Sequence, residues 1–275
     1  MRLLEQKSNN SRFDYLLIIT CIGWTCPQTK IPMKSVNKKP LTDSTYDKLV
    51  QHIVSGKCKP GEPISELALT RELGVSRTPI HNAVLKLAKD GLIQHEPNHR
   101  PIVRGLTPAD IHKIYEMRIL LEGEAARLAA THMHKTQLKK LQKVHNDVEA
   151  FEGGREDWLH LWMDYDNVFH LTLANNTGNP LLAEDIARYR LLHRGMNLFG
   201  FCEETAPLPT LRQAIGEHAH ILHAIEHHDP EAAKDSMRMH LRCWQEFFDD
   251  LFEREAEAVN NAPNLLVFQK DLKSA

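Results

Sequence analysis

Cysteine is scarce in this 275-residue chain and follows no pattern: Cys21, Cys26, Cys58, Cys202 and Cys243 are odd in number and include no C-x-x-C pair. That excludes a disulfide framework and a cysteine-based zinc finger, and it fits a reducing cytoplasm. Neither sign of charge dominates, with 34 Lys/Arg against 36 Asp/Glu and a net of −2. Long apolar runs are missing too. The one candidate, Tyr15 to Cys26 (YLLIITCIGWTC), follows the basic Arg2, Lys7 and Arg12 as a signal peptide would. It is preceded by Asp14, broken by Gly23, too short for a bilayer, and without a small-x-small cleavage site. Residues 1–40 therefore read as a disordered or foreign extension, with Met33 a candidate natural start, and no membrane partner is expected. The remainder, in a chain 42% hydrophobic and 25% charged, is long enough for two domains with real cores.

What is present is a helix, a tight turn and a second helix over Glu66–Gly91, ELALTRELGVSRTPIHNAVLKLAKDG. Leu67, Ala68, Leu69 and Leu73 are expected to form the first helix's apolar stripe, and Gly74 supplies the positive φ that ends it. Ser76 caps the second helix, and Pro79 falls in its first turn, where a missing N–H costs nothing. Ile80, Val84, Leu85 and Leu87 are then expected to face inward. That leaves Ser76, Arg77, Thr78 and His81 at an exposed helix N-terminus, where phosphates and base edges are read. LIQHEPNHRPIV follows as two short strands around a turn at Pro97–Arg100, a β-wing with His99 and Arg100 at its tip. Residues 34–105 carry 12 Lys/Arg and 7 Asp/Glu, a net of +5, and the rest 22 and 29, a net of −7. A basic module on an acidic body suits a DNA-facing part and a regulatory part, because phosphate attraction is screened beyond about 10 Å.

The organisation that follows is mainly α. A winged helix-turn-helix domain over 41–105 begins with a helix bearing Tyr46, Leu49, Val50, Ile53 and Val54 on one face. Thr42, Asp43 and Ser44 are its capping candidates. Gly105–Pro108 is the junction, with Thr107 and Asp110 as a capping box. An all-α domain over 108–254 follows, with helices expected at about 108–131, 135–152, 156–176, 180–199, 208–228 and 230–254. They are separated by Gly153-Gly154, Thr177–Pro180, Pro207–Pro209 and Asp229-Pro230. Six antiparallel helices in a bundle are the economical architecture. Residues 255–275 form a tail.

GVSRTP and LAKDGLI, within the segment from Tyr46 to Asn98, resemble the winged-helix domain of the GntR superfamily of bacterial transcription regulators. IYEMRILLEGEAARLAA, DNVFHLTLANNTGNPLL and EHAHILHAIEHHDPEAAKDSMRMHL resemble the FCD-type effector domain of its FadR subfamily. The likeness covers about residues 41–252. It implies a cytoplasmic homodimer that binds a palindromic double-stranded DNA operator, most often as a repressor, and responds to a small metabolite, commonly a carboxylate. Carried over residue by residue, Ser76, Arg77 and Thr78 are the recognition positions, with Arg77 the candidate for a bidentate guanine contact. The chain departs from the family pattern at Leu67 and His81, where arginines are usual, and at His99-Arg100-Pro101, where the wing glycine is displaced.

Position separates the chain's 17 histidines. Asp166 and His170, four apart, share a helix face with Leu159, Met163 and Leu173. His218 lies on a stripe with Ile215, Leu222 and Ile225, and His240 on one with Ala233, Met237, Trp244 and Phe247. Any one of these could be a satisfied core histidine. Four converging groups instead make a normal donor set for a divalent transition metal such as Zn, Ni or Mn, and the resemblance implies the same four. His220, His223, His227 and His228 are assigned to solvated faces. A four-ligand ion keeps positions open for a carboxylate effector, and Arg118, Arg188 and Arg190 are the candidates to clamp its far end. For Arg118 the structural alternative is an i, i+4 pair with Glu122. The expected mechanism is a population shift transmitted through Gly105–Pro108. Two alternatives stand beside it: a metal-free regulator holding an acyl-type ligand, and a metal-dependent hydrolase, which would leave GVSRTP without a purpose. No enzyme activity is expected.

Overall fold

The computed structural model describes residues 41–195 and 208–261; the expectations for residues 1–40 and for 262–275 lie outside the described residues. The head begins with α1 (Leu41–Val54), α2 (Glu66–Leu73) and α3 (Arg77–Asp90), followed by β1 (Ile93–Gln94) and β2 (Ile102–Val103). Thr42, Asp43 and Ser44 lie inside the first turn of α1 rather than before it. Leu49, Val50, Ile53 and Val54 of α1 are buried. They meet Ile80, Ala83, Val84 and Leu87 of α3, all fully buried, in one cluster. Ser65 caps α2 by accepting from Ala68 N–H, and Gly74 ends it at φ 64°. Ser76 occupies the cap position of α3 with extended backbone but makes no side-chain cap bond.

Two expectations about the inward stripes fail. Leu67 and Ala68 are exposed, because α2 is only two turns long and Leu69 with Leu73 fills its inner face. Leu85 is exposed as well, one residue off the Ile80–Val84–Leu87 stripe. The strands pair antiparallel as Ile93 with Val103 and Gln94 with Ile102, and Pro63 bridges to Ile102. Asn98 takes the wing turn at φ 65°, the left-handed conformation that asparagine tolerates.

Among the described residues six helices follow: α4 (Pro108–His132), α5 (Lys135–Glu149), α6 (Arg155–Asn175), α7 (Pro180–Arg194), α8 (Leu208–Glu226) and α9 (Pro230–Asn261). Thr107 and Asp110 close the expected capping box at the start of α4, with Asp110 N–H donating to Thr107 Oγ1 at 3.1 Å and Thr107 N–H to Asp110 Oδ2 at 3.0 Å. The Thr107 N–H, and then its hydroxyl donating to Asp110 Oδ2 at 2.8 Å, favour the charged carboxylate and lower the Asp110 pKa. α5 stops three residues short of the expected end, and α9 runs seven residues past it to Asn261. Tyr115, Trp158, Phe169, Leu173, Ile221 and Leu241 are at the centre of the bundle core. α4 and α9 lie close where Gly123 faces Arg238, since a Cβ there would stand 2.9 Å from Arg238 Cγ.

The end of α7 also touches the head. Leu192 and, from α4, Ile114 are buried in the head's core, with Tyr189 and Leu191 packed against it. A Cβ on Gly195 would collide with Leu92, so the chain leaves α7 in close contact with the base of the wing.

Thr107→Ala is expected to lower unfolding stability by about 1 kcal/mol, the usual worth of an N-cap, with Thr107→Ser close to neutral. Urea denaturation of the two variants checks this.

Candidate functional site

The outer face of the head is an open groove between α2, the start of α3 and the wing. Ser76, Arg77, His81, His99 and Arg100 all line it; Thr78 is exposed on the first turn of α3 but lies outside the lining. Arg77 is open, its side chain 85% exposed. Glu66, the first residue of α2, ties the two helices together. Its carboxylate accepts from His81 Nδ1 at 2.8 Å and from Arg77 Nε at 3.5 Å. The two longest cationic or dipolar side chains of α3's first turns are thus held beside its N-terminus, where free N–H groups favour anions.

Inside the bundle, α6 supplies Asp166 and His170, α8 His218 and α9 His240, and one donor atom from each lies within 4.8 Å of the others. His218 Nε2 stands 3.2 Å from His240 Nε2. Asp166 Oδ1 lies 3.4 Å from His170 Nε2 and 3.7 Å from His218 Nε2. Donors sharing an ion at bond lengths of about 2.1 Å stand roughly 3–3.5 Å apart; the 3.2 and 3.4 Å pairs meet that spacing, and the 3.7 Å pair is slightly wider. The three rings are almost wholly buried, and burial pushes the pKa of His218 and of His240 down, keeping them neutral as ligands must be. Burial alone would raise Asp166, but Arg190 and His170 outweigh it and hold the carboxylate well below its ordinary value.

The outer atoms are braced. His240 Nδ1 donates to Glu217 Oε2 at 2.7 Å. His170 Nδ1 lies 2.5 Å from Glu122 Oε2, and the His218 ring stacks on Phe169 with centroids 3.9 Å apart. Partners on Nδ1 turn Nε2 toward the common point. Arg190 Nη2 takes Asp166 Oδ2 at 2.6 Å, leaving Oδ1 for the imidazoles. Arg190 is thus paired with a member of the cluster, and it is absent from the lining of the adjoining cavity.

A cavity of about 50 Å³ adjoins the cluster at Asp166 and His240, walled by Trp162, Met163, Trp244 and Phe248 and bordered by Arg118, His193 and Arg194. Arg118 lines this cavity, and its Nε pairs with Glu122 Oε1 at 2.6 Å, the i, i+4 contact that was its structural alternative. Arg188 is exposed over the Tyr189 ring and absent from the lining, because it lies two residues from Arg190 and so on another helix face. Arg194, four residues after Arg190, is the arginine that the sequence reading missed. It is buried, its Nη2 stands 4.0 Å from Asp164 Oδ1, and its Nε has no hydrogen-bond partner among the described residues. Beside it, burial and then Arg118 and Arg190 drive the His193 pKa well down; His193 Nε2 shares a 2.8 Å hydrogen bond with Tyr115 Oη, and its Nδ1 is unpartnered among the described residues. His220, His223, His227 and His228 are exposed.

Among the described residues no helix is long and apolar enough to cross a membrane. Residues 41–101 match the bacterial regulatory proteins of the gntR family, and residues 113–242 match the FCD domain. The chain is 31% identical to the HTH-type transcriptional regulator YdhC of Bacillus subtilis (strain 168), over 71% of this chain and 85% of that one. It is 28% identical to the HTH-type transcriptional repressor RspR of Escherichia coli (strain K12), over 74% and 87%. Its fold is similar to that of E. coli McbR/YncC, with a TM-score of 0.67 at 20% identity over 78% of this chain and all of that one. These relatives are regulators, not enzymes, and the helix-turn-helix and bundle lie where the two matches fall. The chain belongs to the GntR family of DNA-binding bacterial transcription regulators, with a winged helix-turn-helix head followed by an FCD domain.

Proposed function

We propose that this regulator is a metabolite-responsive repressor that holds a divalent transition ion on Asp166, His170, His218 and His240 and senses a small carboxylate in the adjoining cavity. The observation that carries the reading is the convergence of three buried imidazoles and one half-buried carboxylate, with the outer atoms of Asp166, His170 and His240 facing Arg190, Glu122 and Glu217. Bound there, Zn, Ni or Mn would supply a Lewis-acidic anchor for a carboxylate oxygen. Around it, Arg118, Arg190 and Arg194 face Glu122, Asp164 and Asp166, so the ion's two positive charges leave room for an organic anion. Arg118 and Arg194 border the cavity and are the candidates to receive the anion's far end. Repression follows the relative RspR. In this reading the protein acts as a homodimer on a palindromic operator, with Ser76, Arg77, Thr78, His81, His99 and Arg100 toward the DNA.

The route from cavity to head runs through α7 more directly than through Gly105–Pro108. One turn of α7 carries Arg190, His193 and Arg194 toward the bundle and Leu192 into the head's core. An anion that draws Arg194 inward moves Leu192 with it, because both sit on the same rigid turn, and the heads lose the spacing their half-sites require.

Metal analysis separates this reading from a metal-free regulator. Protein stripped with chelator and reloaded is expected to retain about one equivalent of ion, and the His218→Ala/His240→Ala double variant less than about 0.1. One equivalent on the variant would overturn the assignment. Protons compete for the same nitrogens. His193, His218 and His240 have folded pKa values below the unfolded 6.5, so the native state binds fewer protons, and the stability this gives is present above pH 6.5 and lost as pH falls below it. The melting temperature of metal-free protein is expected to drop between pH 7.5 and 5.5, less steeply in His193→Gln. A thermal-shift screen of small carboxylates on loaded protein identifies a ligand by mass action. Arg194→Gln is expected to weaken that ligand at least tenfold while sparing operator affinity. Leu192→Ala should keep ligand affinity but lose the ligand's effect on operator binding.

A further inference from the structure

We propose that Leu67 is a specificity-determining residue of the head, reading the C5-methyl of a thymine in the operator. It is 63% exposed, the most open large hydrophobic side chain among the described residues of the head. It serves no interior, since Leu69 and Leu73 already fill the inner face of α2. It lines the groove that Arg77 and His81 share, one residue from the Glu66 carboxylate that holds both. The groove's other α2 members are polar: Glu66 is engaged by α3, Thr70 donates its hydroxyl to the Leu67 carbonyl at 2.8 Å, and Arg71 suits phosphate.

An isobutyl group in that setting gains nothing from phosphates. The thymine methyl is the one apolar group that base pairs present in the major groove, and apolar side chains select it. A cytosine at the same place carries no methyl and offers the leucine nothing apolar to bury. Burying one methyl is worth about fourfold in affinity, the size expected of a secondary specificity contact set beside a guanine-reading arginine.

The test uses the full-length protein. Its preferred duplex is selected from a random pool, and each thymine of that duplex is replaced singly by deoxyuridine, which removes only the methyl. Wild type is expected to lose about fourfold at one thymine of each half-site. Leu67→Ala should bind the thymine duplex about as weakly as wild type binds the uracil one, with no further loss on substitution there. Leu67→Met, still apolar, should keep the discrimination. Because Leu67 is exposed, Leu67→Ala should melt with wild type, which a thermal scan verifies. The assignment is overturned if no deoxyuridine affects wild type, or if wild type and Leu67→Ala lose equally at every position.

Discussion

The buried carboxylate of Glu122 organises the charged interior of the FCD domain. It is 2% exposed, and burial by itself would raise its pKa, yet Arg118, His170 and Arg190 together bring it far down and keep it ionised. One oxygen takes Arg118 and the other faces both His170 and Arg190. Without it, Arg118 would be a buried cation lacking its i, i+4 partner, a defect that typically costs about 3–5 kcal/mol. His170 would lose the contact on Nδ1 that turns Nε2 toward Asp166. Arg190 would be left to Asp166 and Asn167 alone. The three groups belong to three helices, α4, α6 and α7, so one carboxylate fixes their relative heights.

That constraint reaches the DNA-binding head through α7. Arg190 is pinned between Glu122 and Asp166 on one side of the helix, and two residues later Leu192 is packed among the head's aliphatic side chains. Gly195 permits the approach, because any side chain there would strike Leu92. Packed interiors transmit displacement because they have few voids to absorb it. A shift of about an ångström at the cavity therefore has a direct mechanical path to the base of the wing. The capped start of α4 supplies a second, stiffer connection, since Thr107 and Asp110 lock the chain where it leaves β2.

Much of this was legible in the sequence, and the failures have physical causes. The turns announced themselves because Gly74, Gly91 and Gly178 sit where a positive φ is needed. The cluster histidines stood out by helical period, and the family resemblance implied the same set. Periodicity also contained the answer for the arginines: Arg190 and Arg194 are one turn apart and share a face, whereas Arg188 does not. Adjacent leucines defeated it at α2, where hydrophobicity cannot say which of Leu67 and Leu69 turns inward on a helix of two turns. Glu217 could not be found at all, since it braces His240 from another helix, and such pairings depend on how α8 and α9 cross. Asn98 replaced the missing wing glycine through its own tolerance of the left-handed conformation, visible in the sequence only to a reader seeking a substitute.

The buried histidines show why convergence, not burial, distinguishes a candidate ligand. Five are buried among the described residues: His145, His170, His193, His218 and His240. His145 Nδ1 meets Tyr165 Oη at 2.7 Å, and His193 Nε2 meets Tyr115 Oη at 2.8 Å. Each thus meets one tyrosine hydroxyl, although His193 Nδ1 has no hydrogen-bond partner among the described residues, and neither ring belongs to the Asp166–His170–His218–His240 cluster. His218 and His240 differ because their Nε2 atoms face one another at 3.2 Å, where two neutral, unprotonated nitrogens would repel. A proton on one of them resolves that pair, but it leaves His170 Nε2 without a hydrogen-bond partner beside an ionised Asp166. A cation coordinated by all four atoms satisfies every lone pair at once, and that economy, rather than the number of histidines, favours an ion at the centre of the domain.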